Sequence, residues 1–214
     1  VVISAGQGCC GSLSHHMGKK FDAQAAAIKN IDAWYSELSD NGLDAIVINT
    51  SGCGTTVKDY HHMFKGTEHE DKAKAIAGLT KDISEILVRL DLPDQSENQI
   101  NVAYHSACSL QHGQQVSSHP KDILKKCGYK ISEPKESHLC CGSAGTYNLL
   151  QPKISQELKN RKIQSLEAKK PDIIAAGNLG CMMQISSSTK IPVIHTVELI
   201  DWATGGPKPN KLYI

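Results

Sequence analysis

The sequence predicts an α/β protein of two pseudo-twofold-related lobes, each a small parallel sheet flanked by helices, with the first lobe truncated at its N-terminus. Three observations carry this prediction. Short Val/Ile/Ala runs bounded by Gly, Pro or polar residues alternate with longer helical stretches, the pattern of parallel strands joined by helical crossovers. A set of sequence blocks recurs in the same order in both halves. The 214 residues are also enough to bury one large core or two small ones.

In chain order, a long helix is expected over 21–40 ("FDAQAAAIKNIDAWYSELSD"), a strand over 44–50 and a second helix over 71–91. The proline and polar cluster of "LDLPDQSENQ" (90–99) read as a linker, dividing a first unit at 1–95 from a second at 99–214. A strand follows over 100–104, then a helix over 112–126. The helix over 153–169 sets Ile154, Leu158, Ile163 and Leu166 roughly on one face. Strands over 172–177 and 192–195 and a helix over 196–203 complete the pattern.

The repeat is explicit. "CCGSLSHHMG" (9–18) matches "CCGSAGTYNL" (140–149), and "LDAIVINTSGCGTTV" (43–57) matches "PDIIAAGNLGCMMQI" (171–185). Cys10 and Cys141 lie 131 positions apart, and Cys53 and Cys181 lie 128 apart. One duplicated unit therefore reads Cys-Cys-Gly, helix, apolar strand, Gly-Cys, helix. The second unit carries a further cysteine, Cys108, 33 positions before Cys141. The same spacing in the first unit falls before residue 1, so its upstream cysteine is expected to lie outside this chain.

Bulk properties exclude several classes. Lys+Arg 23 against Asp+Glu 22 leaves a net charge of +1, with no electrostatic case for nucleic acid or an anionic membrane. No stretch approaches the roughly 20 apolar residues of a membrane span. The opening "VVISAGQGCC" lacks a basic leader and long apolar run, so no export signal is read there. The expected location is cytoplasmic, with at most peripheral association at the inner face of the plasma membrane. In that compartment eight clustered cysteines point to metal or redox chemistry before disulfides.

Cys53, Cys108 and Cys181 each follow an apolar strand by a few residues, where α/β units collect their ligand-binding groups. The pairs Cys9-Cys10 and Cys140-Cys141 precede long helices, whose N-terminal dipoles favour thiolate. Zinc usually takes C-x₂₋₄-C knuckles, and this sequence has no C-x-x-C. Adjacent cysteines reach two metal atoms of a multinuclear cluster more easily than one tetrahedral ion. The chemistry favours iron–sulfur, with a structural zinc-binding docking module as the competitor.

The order Cys108, 31 residues, Cys140-Cys141-Gly142, then 39 residues from Cys141 to Cys181 resembles the cysteine-rich "CCG" domain of the heterodisulfide reductase-like family. The segments "VAYHSACSLQHGQ" (102–114), "HLCCGSAGTYNLLQP" (138–152), "GNLGCMMQI" (177–185) and "TSGCGTTVKDY" (50–60) are most similar to the C-terminal part of glycolate oxidase iron–sulfur subunits. That resemblance implies a preceding ferredoxin-like domain and a [4Fe–4S] cluster on Cys108, Cys140, Cys141 and Cys181. Cys9, Cys10 and Cys53 are the equivalent ligands of the first unit. It also implies electron transfer from flavin-containing partner subunits, with FAD oxidising glycolate to glyoxylate, toward an acceptor such as quinone or another carrier. Lactate and glycerol-3-phosphate relatives share much of the pattern. Substrate chemistry belongs to the partner, so no catalytic residue is expected here. Gln184 and Thr56 stand where disulfide-reducing relatives carry a fifth cysteine, which argues against a thiol–disulfide reductase.

Of the ten histidines, His15, His16, His61, His62, His105, His112 and His138 lie near cysteines in sequence. His105 is placed to donate to a cluster sulfur or ligate an iron, and its plainer reading is a loop histidine capping the next turn. The His15-His16 and His61-His62 pairs read as surface residues. Cys127, without a repeat counterpart, reads as a buried structural thiol. "GCGTT" and "GSAGTYN" miss the spacing of phosphate-binding loops. Tyr147 and Asn148 read as shielding a cluster, facing a partner or lying on a helix surface.

Overall fold

A computed structural model describes residues 1–92 and 100–212 and divides the chain into two compact units, Val1–Ile48 with Gly52–Asp82, and Asn49–Ser51 with Ile83–Ile214. Residues 93–99, the greater part of the expected linker, lie outside the described residues.

The first unit runs α1 (Ser12–His16), α2 (Lys20–Asn41), β1 (Ile46–Ile48), α3 (Ser51–Lys58), α4 (Tyr60–Met63), α5 (Glu70–Leu79) and β2 (Thr80–Asp82). Strands β1 and β2 pair in parallel, Ile46 opposite Thr80. Helix α2 buries Ala23, Ala27, Ile31 and Trp34, spaced by three or four residues along one face, against Ile46, Val57, Tyr60, Phe64 and Ile76. The helix expected over 71–91 is instead broken by β2. Thr80 leaves helical geometry at ψ 128, its hydroxyl donates to the Ile76 carbonyl, and the chain joins β1 before α6 (Ile83–Leu87) begins.

The second unit continues with β3 (Asn101–His105), a π-helical turn at Ser109–Gly113, α7 (His119–Lys126), β4 (Lys130–Ser132), α8 (Tyr147–Leu150), α9 (Pro152–Glu167), β5 (Ile173–Ala176), α10 (Leu179–Ser186), β6 (Val193–His195), α11 (Thr196–Ala203) and a 3₁₀ turn at Asn210–Leu212. Its four strands are all parallel, in the order β4-β3-β5-β6. The helix expected from residue 112 starts only at His119, with Pro120 in its first turn and Gln115 at φ 58 breaking the path.

Alternation along β3 and β5 sorts their side chains onto two faces. Val102, Tyr104, Ile173 and Ala175 pack with Ile123, Leu124, Leu199 and Ile200 of α7 and α11. Ala103, Ile174 and Ala176 pack with Ile163 and Leu166 of α9 and Met182 and Ile185 of α10. The face expected on α9 is turned: Ile154 is exposed, and Ser155, Lys159, Lys162, Ile163 and Leu166 are buried. The two lysines are tolerated because their ammonium groups reach oxygen partners, Ser187 for Lys159 and backbone carbonyls for Lys162. No helix among the described residues is long and apolar enough to cross a membrane.

Candidate metal centre

In the second unit the α9/α10 face of the sheet ends in sulfur. His105 closes β3, and Cys108 follows three residues later at the start of the π-helical turn. Cys140 and Cys141 come from the segment preceding α8. Cys181 lies in the first turn of α10, where the Asn178 side chain caps the helix by accepting from the Cys181 amide at 3.2 Å. Cys108 and Cys181 therefore sit in opening helical turns rather than in open loops.

The four thiols form a chain of mutual interactions, Cys108 with Cys140, Cys140 with Cys141, and Cys141 with Cys181. The thiol that accepts is held low and the one that donates is pushed high. Cys181 is lowered to about 5 by the Cys141 S–H, with the His105 imidazole helping against burial. Cys140 is held far below the ordinary thiol range by the S–H groups of Cys108 and Cys141, then by the Gly142 amide, which donates to its sulfur at 3.3 Å. Cys108 and Cys141 are correspondingly raised by donating to these neighbours and by burial. Ligand-ready thiolates thus alternate with thiols whose protons a metal must displace.

The floor of the site is built for close approach. Gly142 has φ +90, and a Cβ there would collide with the carbonyl oxygen of Ser155 in the first turn of α9. The Ser155 hydroxyl donates to the Gly142 carbonyl at 2.8 Å and receives the Gln184 amide at 2.9 Å. Gln184 is thereby committed to holding the Cys-Cys-Gly segment. Just upstream, the fully buried Lys162 donates to the carbonyls of Glu136 (2.6 Å) and Ser137 (3.4 Å), and exposed Arg161 pairs with the Glu136 carboxylate. Burial lowers the Lys162 ammonium, while the charge of the nearby Cys108, Cys141 and Cys140 sulfurs, then of Glu136, draws it back up.

The first unit repeats the construction. Gly11 has φ +81, and a Cβ on it would meet the Ala23 carbonyl oxygen at 2.7 Å. Its amide donates to the Cys9 sulfur at 3.5 Å. Seven residues beyond Ala23, Asn30 accepts from the Gly8 amide (2.7 Å) and donates to the Cys9 carbonyl (3.0 Å). Lys162 occupies the same place, seven residues beyond Ser155. The Tyr60 hydroxyl donates to the Cys10 carbonyl at 3.0 Å. Cys10 and Cys53 interact, lowering Cys53 to about 7 and raising Cys10, while Cys9 is exposed. All three first-unit cysteines therefore border one region.

Cys127 lies on the other side of the sheet, buried among Tyr129, Leu124 and Ile200, with its thiol pushed up by burial. His105 departs from the plainer expectation of a loop cap. It is the last residue of a central strand and is fully buried, and neither ring nitrogen has a hydrogen-bond partner among the described residues. A ring nitrogen and the sulfurs of Cys141 and Cys181 all lie within 4.8 Å of one another. The period-two pattern of "NVAYH" was the signal that could have placed it on the Ala103 face. Asn30 and Lys162 carried no such signal.

Soft sulfur donors from separate elements, glycine-permitted close packing and an unpartnered buried imidazole together fit an iron–sulfur centre. The sequence pattern of the CCG cysteine-rich domain matches residues 1–58 and 102–186. The glycolate oxidase iron–sulfur subunit of Escherichia coli (strain K12) is 35% identical over 92% of this chain and 48% of its own length. The probable glycolate oxidase iron–sulfur subunit of Bacillus subtilis (strain 168) is 31% identical over 96% and 48%. Lactate utilization protein A of Geobacillus sp. (strain WCH70) is 28% identical over 91% and 83%. The chain thus spans about half the length of the two glycolate oxidase subunits it matches.

Proposed function

The chain belongs to the cysteine-rich CCG domain family, and on that premise we propose that it is the cluster-bearing part of an iron–sulfur subunit in a hydroxyacid oxidase. The observation that carries the reading is the meeting of Cys108, Cys140, Cys141 and Cys181 at one end of the second sheet, on the α9/α10 face. These four residues would hold a [4Fe–4S] cluster, and Cys9, Cys10 and Cys53 would contribute the equivalent ligands of the first unit. Such a cluster, when bound, takes up and releases single electrons.

The protein's own residues prepare that task. The Gly142 amide directs an N–H at the Cys140 sulfur, and Asn178 fixes the turn that presents Cys181. Buried Lys162 offsets part of the negative charge of four thiolates. Exposed Leu179 and Met183, four residues apart on α10, put apolar surface on the side of that helix away from buried Cys181. Glycolate is the proposed substrate of the complex, because the relatives with 35% and 31% identity carry that name. Its oxidation would take place on an FAD-containing partner subunit, with quinone or another carrier receiving the electrons.

Anaerobic reconstitution with iron and sulfide tests this. Wild-type protein is expected to turn brown, to bind iron and sulfide together and to show a reducible EPR-active centre, and Cys141→Ser to lose most of the iron. A colourless wild type carrying stoichiometric zinc, or unchanged iron in Cys141→Ser, would overturn the assignment. Co-expression of the full-length subunit with its flavin partners would then test glycolate against lactate as the reductant.

A further inference from the structure

Four thiols are enough for an iron–sulfur cluster, yet the second unit brings a fifth donor to the same place. His105 is 0% exposed, and both of its ring nitrogens lack a hydrogen-bond partner among the described residues. A buried imidazole that meets no hydrogen-bond geometry and has only the Cys181 thiol to pair with forfeits hydration it had in the unfolded chain, at a cost of about 1–3 kcal/mol. Something must repay that cost.

The surroundings say what. Strand alternation puts His105 on the same face as Ala103, where Ala107 and Ala176 keep the adjoining volume small-walled. Asn178 and Gln184, the nearby amides of α10, are committed to the Cys181 amide and to Ser155. Sulfur lies beside the ring: a His105 nitrogen and the sulfurs of Cys141 and Cys181 are all within 4.8 Å of one another. Two soft sulfurs and one imidazole are a metal-ligand set in their own right.

We propose that His105 is itself a ligand of the centre and would bind an iron through a ring nitrogen beside the Cys141 and Cys181 sulfurs. The inference rests on the iron–sulfur reading above. It makes the second-unit centre a mixed thiolate–imidazole site. A neutral imidazole on one iron lessens the negative charge gathered there and raises the reduction potential relative to an all-thiolate site.

The test uses ⁵⁷Fe and sulfide loaded anaerobically into the wild-type chain, with ¹⁵N-histidine labelling. Iron and sulfide are first counted. Mössbauer spectra are expected to show one iron distinct from the rest, and ENDOR of the paramagnetic state a strongly coupled ¹⁵N. His105→Cys is expected to retain iron, lose both signatures and shift the midpoint potential lower. Wild type that binds iron and sulfide in full but shows no distinct iron and no strongly coupled nitrogen overturns the histidine ligation and leaves the iron–sulfur reading standing. Wild type that binds no iron and sulfide overturns both. The wild-type spectra decide the question even if His105→Cys fails to fold.

Discussion

Gly142 and Ser155 are locked together in both directions: the glycine has room for no Cβ beneath the Ser155 carbonyl, and the serine hydroxyl donates back to the Gly142 carbonyl at 2.8 Å. The left-handed φ of +90 and the collision with backbone act on the same atom. Gly142→Ala is therefore expected to destabilise the protein by about 2–3 kcal/mol, read from urea unfolding of the metal-free chain. Gly18→Ala, at φ +73 with nothing within 4 Å, should cost only about 1 kcal/mol. Equal costs would mean that the packing against α9 contributes nothing.

The Cys10–Cys53 pair makes a prediction about pH. The Cys53 thiolate is favoured by the neighbouring Cys10 S–H, which brings its titration to about 7. Because the thiolate is the nucleophile, alkylation of Cys53 in the metal-free protein should rise with pH through an inflection near 7, below that of an ordinary thiol. Cys10→Ala removes the donor and should move the inflection upward. Peptide mass mapping of iodoacetamide adducts against pH measures both, and an unmoved inflection would contradict the pairing.

Lys162 should matter for the loop and for the charge of the site separately. Lys162→Met leaves the Glu136 carbonyl without its 2.6 Å donor in a half-buried setting and is expected to cost about 1–3 kcal/mol in urea unfolding. In the reconstituted protein, the same change should lower the midpoint potential, since a compensating cation is gone. A potential equal to wild type would assign Lys162 to structure alone.

Cys127 serves as the internal control. It sits in the core on the far side of the sheet, among Tyr129 and Leu124. Cys127→Ser is expected to reduce stability by about 1–2 kcal/mol, because a hydroxyl is buried there in place of a thiol. Iron and sulfide content should equal wild type. Loss of iron in this variant would place Cys127 in the metal chemistry.

The sequence was most legible where apolar runs and duplication coincide. The "IIAA" strand, the helix from Thr196 and the Cys-Cys-Gly repeats all lie where pattern and spacing put them. Strand β2 was hidden because "TKD" is polar, and it is held by the parallel ladder to β1 rather than by an apolar signature. Strand β4, "KIS", borders the sheet with an exposed Lys130 and has the same character. The buried side of α9 is hidden in the sequence because Lys159 and Lys162 have the character of surface residues, yet their ammonium groups reach Ser187 and the Glu136 carbonyl. The sequence leaves His105 between a cluster-facing residue and a loop cap, because a single histidine near a cysteine carries no period, although its strand does.

Asn30 and Lys162 stand at matching steps of duplicated helices and do matching work, yet one is neutral and the other is a cation. Duplication has thus left two berths with the same frame and different tolerance for negative charge. A redox group held in both would give up an electron more readily beside the asparagine than beside the lysine.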